Sequence, residues 1–193
     1  IIATHTITHK STTIFVQVVP VGKVTVPKLE IGATHTAALK TDGTVWTWGR
    51  NSYGQLGTGD NINKAMPAKV MDIENAIDIS VGSYNTVVVK DDGTVWSFGY
   101  NGYGQLGDGT SSSRNTPVQV IKQNGKPLEK IVKISAGTNK TIALDENGHV
   151  WVWGNTYKST ATKLSTVNNA IDISPSYVVT QTSSETSVCA TGR

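Results

Sequence analysis

One sequence pattern, a tight turn followed by alternating apolar residues and a glycine-rich loop, recurs along this chain and constrains its fold most. It is clearest at residues 91–110, which read Asp-Asp-Gly-Thr-Val-Trp-Ser-Phe-Gly-Tyr-Asn-Gly-Tyr-Gly-Gln-Leu-Gly-Asp-Gly-Thr. The Asp92-Gly93 pair suits a hairpin turn, which requires positive φ, and the flanking residues alternate as half-buried strands do. Nearly the same sequence occurs at 41–57, and a weaker copy occurs at 145–154. The pattern predicts a series of β-hairpins.

The hairpins divide the chain into repeats. Residues 32–50 align without gaps with 82–100 and 137–155, and 175–193 is a weaker match of the same length. A single repeat domain is therefore expected over 1–193. Its units are a degenerate first unit, two full units, a short unit and a half unit, with approximate bounds 1–31, 32–81, 82–136, 137–174 and 175–193.

Each unit also contains a second pair of alternating segments, such as 68–71 and 76–80. Alternation of apolar and polar residues is typical of half-buried strands. We expect equivalent closing strands at 131–135 and 170–174, and a strand at 24–31 that closes the first unit. Four short strands per unit, with no sustained helical period, are typical of a β-propeller blade. The predicted fold class is all-β, with blades of four antiparallel strands.

The repeat itself resembles that of a known family. Its pattern, Gly-x-x-x-Thr-x-x-Leu-x-x-Asp-Gly-x-Val-Trp-x-Trp-Gly-x-Asn-x-x-Gly-Gln-Leu-Gly, is similar to the repeat of the regulator of chromosome condensation family. The similarity is strong over 32–109, good over 137–154 and weak at both ends. It implies a β-propeller, which in that family has seven blades. A shared activity does not follow, because function depends on loops that vary within a fold.

The chain departs from that pattern in ways that predict a partial propeller of about four blade-like units. The third copy has Asn-Thr-Tyr-Lys-Ser at 155–159 in place of the Gly-Gln-Leu-Gly loop, and the last copy stops after its second strand. A truncated blade exposes the unpaired backbone of an edge strand. Three alternatives follow: a part of a longer propeller, an arrangement completed by another chain, or an open arc capped by its end strands.

Composition excludes some classes of partner. The 17 Lys and Arg against 14 Asp and Glu give a net charge of +3 without any basic run, so no nucleic-acid partner is expected. No apolar run approaches the roughly 20 residues of a membrane span, so no membrane insertion is expected. Residues 1–10 lack a signal-peptide pattern, and a first residue of Ile is compatible with a processed or excised piece. The threonine-rich, cysteine-poor composition fits a bacterial secreted or surface protein slightly better than a cytoplasmic one.

Aromatic residues recur at two strand positions that are two residues apart. The first position holds tryptophan in all three clear copies and the second holds Trp, Phe and Trp: Trp46, Trp96 and Trp151, then Trp48, Phe98 and Trp153. Residues i and i+2 share one face of a strand. We therefore expect an aromatic stripe that packs between neighbouring blades.

No catalytic, metal or cofactor site is expected. The four histidines lack acidic or cysteine neighbours at metal-ligand spacing: His5, His9, His35 and His149. Residues 145–148, Asp-Glu-Asn-Gly, resemble the start of a calcium loop but align with the hairpin turns and lack the terminal glutamate. Cys189, the only cysteine, replaces a stripe tryptophan and is expected to be inert. The sequence therefore predicts a non-enzymatic protein without a cofactor.

The loops that follow the second strand of each hairpin should gather on one rim, which offers a binding surface. Tyrosine and arginine are favoured at interfaces because they bury a large area and retain a polar group. The candidate binding residues are Arg50, Tyr53, Tyr100, Tyr103, Tyr157 and Lys158. Asn51 and Asn101 are expected instead to hold their own loops.

The predicted function is a non-catalytic scaffold that binds a protein partner or another copy of itself. In one form of this hypothesis the chain is a self-assembling subunit whose end blades are completed by neighbouring chains. The resemblance implies two alternatives, an inhibitor of a secreted enzyme, like a bacterial β-lactamase inhibitory relative, and a guanine-nucleotide exchange factor. The incomplete ring and the lack of a wedge-like insertion disfavour the last.

Overall fold

The structure is a computed structural model that describes the backbone of residues 4–8, 11–15, 25–175, 177–181 and 186–190, and the side chains of 25–175, 179–180 and 186–188. Its strands, in chain order, are β1 (Thr4–Thr8), β2 (Ser11–Phe15), β3 (Lys28–Ile31), β4 (His35–Leu39), β5 (Val45–Gly49), β6 (Lys64–Lys69), β7 (Ala76–Val81), β8 (Asn85–Lys90), β9 (Val95–Gly99), β10 (Arg114–Gln119), β11 (Ile131–Ala136), β12 (Lys140–Asp145), β13 (Val150–Gly154), β14 (Thr162–Lys163), β15 (Ala170–Ile173), β16 (Tyr177–Gln181) and β17 (Thr186–Ala190).

The strands form a row of antiparallel sheets. The first sheet has the order β3-β4-β5-β6, the second β7-β8-β9-β10, the third β11-β12-β13-β14 and the fourth β15-β16-β17, while β1 and β2 pair as a separate hairpin. None of the described segments is helical. The predicted all-β fold with blades of four antiparallel strands is confirmed. The third sheet, most of which lies in the unit predicted to be short (137–174), has four strands, although β14 has only two residues.

The predicted closing strands are wrong in one respect, because each of them opens the next sheet. β7 pairs with β8, which follows it after a short connection, and Val81 lies opposite Thr86. β11, β15 and β3 open their sheets in the same way. Strands joined by a short connection normally pair with each other. The chain leaves the first sheet at residues 70–75, where Asp72 and Asn75 take positive φ and redirect it. The sheets are therefore offset by one strand from the sequence repeats.

The predicted hairpin turns are confirmed, and they also join neighbouring sheets. Gly93 has a φ of 79° in the turn between β8 and β9. Its carbonyl oxygen accepts a hydrogen bond from the backbone N–H of Ile131, the first residue of the third sheet, at 3.1 Å. Gly43 accepts in the same way from Ala76 at 3.0 Å. Each turn thus positions the start of the following sheet.

Apolar clusters fill the spaces between successive sheets. One lies between the first and second sheets, one between the second and third, and one between the third and fourth. Phe98 and Trp153, from the second stripe position, are completely buried in the first two of these. Trp96 and Trp151, from the first position, are only partly buried against the same clusters. The aromatic stripe between blades is confirmed for the second and third sheets, with most of the burial at its second position. In the first sheet, Trp46 and Trp48 are both only partly buried and belong to none of these three clusters.

Candidate functional site

The candidate site is the edge of the structure at which the glycine-rich loops after β5 and β9 lie, at the ends of the strands rather than along an outer strand. A buried asparagine holds each of these two loops. The side-chain oxygen of Asn101 accepts from the N–H of Leu106 at 2.9 Å. Its amide nitrogen donates to Asp108 Oδ1 at 3.0 Å and to the carbonyl of Ser112 at 3.1 Å. In the first sheet's loop, Asn51 likewise accepts from the N–H of Leu56 and donates to Thr58 Oγ1 and to the carbonyl of Ile62. The prediction that Asn51 and Asn101 hold their own loops is confirmed.

The same loops are fixed to the following sheet. The carbonyl of Gln55 accepts from Thr86 Oγ1 at 2.9 Å. In the next loop the carbonyl of Gln105 accepts from the indole N–H of Trp153 at 2.9 Å and from Thr141 Oγ1 at 3.2 Å. A side chain displayed by such a loop is held by two sheets at once, which makes the loops rigid supports for a binding surface.

An ion pair between a partly exposed arginine and a buried aspartate closes the loop of the second sheet. Both Nε and Nη2 of Arg114 lie 3.0 Å from Asp108 Oδ2. Burial raises the pKa of Asp108, but hydrogen bonds from Thr110, Arg114 and Asn101 lower it more strongly, so the net shift is downward. The carboxylate therefore stays ionised and accepts several donors at once.

Four tyrosines from two adjacent sheets meet on this edge. The ring of Tyr53 lies 4.9 Å from that of Tyr100 and 5.6 Å from that of Tyr84. Tyr103 extends the group, with its ring 6.2 Å from that of Tyr100. Tyr53 and Tyr103 are exposed, whereas Tyr84 and Tyr100 are partly buried beneath them. We call Tyr53, Tyr84, Tyr100 and Tyr103 the tyrosine cluster.

Tyr84 was missed in the sequence because it lies between β7 and β8 rather than after the second hairpin strand. Its aligned counterparts, Thr34 and Asn139, are not aromatic, so the repeat gives no signal at this position. The antiparallel strand order of the second sheet would have predicted that Tyr84 lies near Tyr100. The end of β7 and the end of β9 lie at the same edge, which brings the Tyr84 and Tyr100 loops together.

The structure separates the remaining candidates into two groups. Arg50 is exposed on the Tyr53 loop, where its Nε donates to Ser52 Oγ at 3.1 Å. Beside that loop is a cavity of about 250 Å³ lined by Tyr53, Asn61, Ser113, Arg114, Asn115 and Thr116. Tyr157 packs instead against the cluster between the third and fourth sheets, and Lys158 is exposed next to it. The binding role of all six candidates stays a prediction.

The residues considered as metal ligands lie partly within the described residues and partly outside them. Within the described residues, no group of three or more His, Cys, Asp or Glu side chains is placed to hold a metal ion. Asp145 does form a hairpin turn, in which its carboxylate accepts from His149 and from the indole N–H of Trp151, each at 3.0 Å. His9 and the side chains of His5 and Cys189 lie outside the described residues, so the expectations for them fall outside the structure. Across the part of the chain that is described, no helix has the length and apolar character needed to cross a membrane.

Comparison with known families agrees with the sheet architecture. A family model described as "Regulator of chromosome condensation (RCC1) repeat" matches residues 42–89 and 92–144, which is more than half of the chain. The chain belongs to this family. A second RCC1-repeat model matches 28–55, 76–105 and 131–158. Each of these three segments begins at the first residue of a sheet, in β3, β7 or β11. This agrees with the one-strand offset between the sheets and the sequence repeats.

Relatives with RCC1 repeats are much longer than this chain. It is 36% identical over 125 residues to the human E3 ubiquitin-protein ligase HERC2, a match that covers 64% of this chain and 3% of HERC2. It is 34% identical over 132 residues to the mitochondrial RCC1 domain-containing protein RUG3 of Arabidopsis thaliana, covering 68% of this chain and 29% of RUG3. The chain thus spans less than a third of each of these relatives.

Solved structures show the same fold. Human WBSCR16 superposes with a TM-score of 0.71 at 18% identity, over 84% of this chain and 46% of that protein. Yeast RCC1 (Prp20), in its complex with Kap60, superposes with a TM-score of 0.64 at 17% identity, over 88% of this chain and 44% of that protein. At such identities the likeness establishes the fold alone.

Proposed function

We propose that this RCC1-repeat chain is a non-catalytic scaffold that binds a protein partner, with the tyrosine cluster at the centre of the contact. The observation that carries the proposal is the convergence of four tyrosine rings from two sheets, with the centroids of contacting rings 4.9 to 6.4 Å apart. Tyrosine buries a large, rigid area with few rotatable bonds and keeps a hydroxyl for hydrogen bonding, which explains its enrichment in binding surfaces.

The surroundings of the tyrosine cluster suit a protein partner better than a small molecule. The two outer rings are exposed, and the neighbouring cavity is small and lined mainly by polar side chains. Pockets for small ligands are usually concave and mostly apolar. An aromatic centre with Arg50 and other polar groups around it has the arrangement of a protein interface, with an apolar core and a polar rim.

Related proteins support the same class of function. Yeast RCC1 (Prp20) has been crystallised bound to Kap60, and another structure of Prp20p is reported together with its binding to Gsp1p and histones. These partners belong to Prp20. What we transfer to this chain is the general class, a propeller that binds proteins.

The proposal can be tested by affinity capture with matched variants. The wild-type chain, a Tyr53→Ala/Tyr103→Ala variant and a Met66→Ala control are immobilised and exposed to extract and culture medium of the source cells. Met66 is an exposed apolar residue of the outer strand β6, so its loss should not disturb the edge that carries the tyrosine cluster. We expect a protein other than the chain itself to be retained by the wild type and the control, and at least about tenfold less by the double variant. Equal retention of every captured protein by all three would refute the proposal.

The identity of the captured protein separates the alternatives. A secreted enzyme whose activity falls on binding would favour the inhibitor, and a GTPase that releases its nucleotide faster would favour the exchange factor. No feature of the described residues favours either of these over a simple scaffold.

A further inference from the structure

The connection between the second and third sheets contains an insertion. Residues 120–130 join β10 to β11, five residues more than the connection at either of the other two junctions between sheets. Part of it folds into a hairpin, in which the backbone N–H of Gly125 donates to the carbonyl of Lys122 at 2.9 Å. We call residues 121–127 the inserted hairpin. Segments of this kind vary on the surface of a fold and often carry its binding residues.

The inserted hairpin is fixed to the third sheet. The carbonyl of Ile121 accepts from the backbone N–H of Ala161 at 2.8 Å. Gln123 Nε2 donates to Oγ1 of Thr162, a residue of the outer strand β14, at 2.9 Å. The hairpin and the third sheet are thus two walls that the chain itself holds together.

A cleft of about 350 Å³ lies between the inserted hairpin and the third sheet. We call it the Trp151 cleft, after the half-buried tryptophan in its lining. Its polar lining residues are Lys122, Gln123, Asn124, Thr162 and Lys163. An aromatic surface with a few polar groups around it is the usual composition of a small-ligand site, and this volume suits a ligand with a single ring.

The Trp151 ring lacks the lysine that covers its counterparts. In the second sheet, Lys90 Nζ lies 5.8 Å from the ring centre of Trp96, and the first sheet has the same contact at 5.3 Å. The residue aligned with Lys90 in the third sheet is Asp145, whose carboxylate instead accepts from the indole N–H of Trp151 at 3.0 Å. The indole N–H is therefore satisfied within the chain, while the ring borders the cleft and can pack against a ligand.

The charge of the Trp151 cleft is positive. Among the described residues, Lys122 and Lys163 are its only charged lining groups. Lys122 Nζ lies 4.0 Å from Glu129 Oε2, but that side chain is more than half exposed, so the pair neutralises little charge. The cavity at the junction between the first and second sheets differs, since Asp72 and Glu74 line it together with two lysines. A cleft lined by charges of one sign attracts a ligand of the opposite charge.

Existing hydrogen bonds determine what the two amides of the inserted hairpin can offer a ligand. Asn124 Oδ1 accepts from the backbone N–H of Lys126 at 3.1 Å, which leaves the amide nitrogen of Asn124 as a donor. Gln123 uses its amide nitrogen on Thr162, which leaves its oxygen as an acceptor. Together with the two ammonium groups, the cleft therefore offers more donors than acceptors. Its ligand should carry several acceptors, at least one of them charged.

We propose that the Trp151 cleft binds one unit of an acidic sugar, with the sugar ring packed against the indole and its carboxylate or sulfate group held by Lys122 and Lys163. One face of a sugar ring is made of C–H groups, which pack on an aromatic ring, and the hydroxyl groups at its edge accept from lysine and from the Asn124 amide. A nucleotide suits the cleft less well, because the described residues contain no helix whose N-terminus could hold its phosphate. This site goes beyond the protein-binding function proposed above.

The first test compares ligands by isothermal titration calorimetry at low ionic strength, where charge attraction is least screened. The probes are tetragalacturonate, a heparin tetrasaccharide, maltotetraose and AMP. We expect the wild-type chain to bind at least one of the two acidic saccharides about tenfold or more tighter than maltotetraose and AMP. The tighter of the two acidic saccharides identifies the charged group as a carboxylate or a sulfate. Binding of neither, or binding of maltotetraose or AMP with the same affinity, would overturn the proposal.

The second test removes the two lysines of the cleft. Lys122→Gln/Lys163→Gln should weaken binding of the tighter acidic saccharide at least about tenfold, because it removes both charged donors. The matched control, Lys69→Gln/Lys90→Gln, removes the same charge from the cavity at the first junction and should change the affinity less than about twofold. An equal loss in both variants would show a general attraction to a positive protein and would refute the assignment to this cleft.

The third test locates the sugar ring on the wild-type chain and so does not depend on the folding of a variant. The chain has five tryptophans, and Trp151→Phe assigns the indole N–H signal of Trp151 in a ¹H–¹⁵N spectrum. Addition of the tighter acidic saccharide should shift that signal more than any other indole signal. A larger shift of the Trp96 signal, or no shift of any indole signal, would contradict the proposed position.

The Trp151 cleft and the tyrosine cluster are separate sites. Because β9 and β10 are antiparallel, the loop after β9 and the connection after β10 lie at opposite edges of the second sheet. Tyr53→Ala/Tyr103→Ala should leave saccharide binding unchanged, and Lys122→Gln/Lys163→Gln should leave the capture of a protein partner unchanged. Failure of either proposal would therefore leave the other standing.

Discussion

His35 should make the stability of this chain depend on pH in a way that one substitution removes. Its imidazole is buried where the first and second sheets meet, with Nε2 2.7 Å from Thr86 Oγ1. The Thr86 hydroxyl donates its own proton to the carbonyl of Gln55 at 2.9 Å. Nε2 must therefore carry the proton and donate to the hydroxyl, which leaves Nδ1 as the nitrogen that would titrate. Burial lowers the pKa of His35 from 6.5 to about 4.

The sign and the size of the effect follow from the lowered pKa. Below pH 6.5 the unfolded chain binds a proton at His35 that the folded chain does not, so acid favours unfolding. The contribution of neutral His35 to the free energy of unfolding is fully present above pH 6.5. It decreases as the pH falls and is lost below about pH 4. A pKa difference of about 2.5 corresponds to about 3 kcal/mol in total, of which about 2 kcal/mol is lost by pH 5.

The measurement is urea denaturation at pH 7 and pH 5, followed by tryptophan fluorescence, for the wild type and His35→Asn. Asparagine is the residue at the aligned position 85 of the second sheet, so it suits the backbone there. Carboxylates that titrate over this range are common to both proteins and cancel in the comparison. We expect the wild type to lose about 2 kcal/mol more than the variant between the two pH values. The same pH dependence in both proteins would show that the His35 imidazole is hydrated, which would refute the burial argument.

Three further predictions concern packing and the loops. Phe98→Ala should cost about 3–5 kcal/mol in urea denaturation because it empties a fully buried site, and Trp96→Ala, which removes a partly buried ring, should cost clearly less; equal losses would contradict the asymmetric stripe. Gly99→Ala should cost more than about 2 kcal/mol, because φ is 109° and the added Cβ would lie 2.4 Å from a backbone oxygen. Gly125→Ala, with a φ of 76° but nothing within 4 Å, should cost only about 1 kcal/mol in the same assay. Asn101→Ala should cost about 2–3 kcal/mol and speed proteolysis within residues 100–113, since the buried amide satisfies several backbone groups of that loop; unchanged proteolysis would show that the loop does not depend on it.

Much of the fold follows from local sequence. The Asp92-Gly93 turn and the alternation on both sides of it specify a hairpin, and recurrence of that hairpin specifies a row of similar sheets. Local sequence does not show to which sheet the strand at 76–80 belongs. An alternating segment between two hairpins can pair with either of them, and the choice depends on the lengths of its connections. The short connection to β8 decides it, and the alignment of repeats alone contains no such information.

The candidate site was predictable only in part. Tyr53, Tyr100 and Tyr103 follow recognisable strands, so their shared edge could be expected from the repeat. Tyr157 also follows such a strand, but its loop lacks the Gly-Gln-Leu-Gly sequence, and the ring packs against an apolar cluster instead. Tyr84 completes the tyrosine cluster from a loop where its counterparts are not aromatic. Side chains that are not part of the repeat are placed by the stacking of sheets, which the pattern of one repeat cannot predict.

The one-strand offset determines where such a chain can be divided or extended. A break within residues 82–84 separates β7 from the sheet that it opens, whereas a break within 70–75 leaves the first and second sheets whole. Duplication or deletion of a gene segment that encodes one repeat preserves the one-strand offset at every junction inside the row of sheets. Proteins of this architecture can therefore gain or lose blades during evolution without leaving an unpaired strand in their interior, and only the two ends of the row have to adapt.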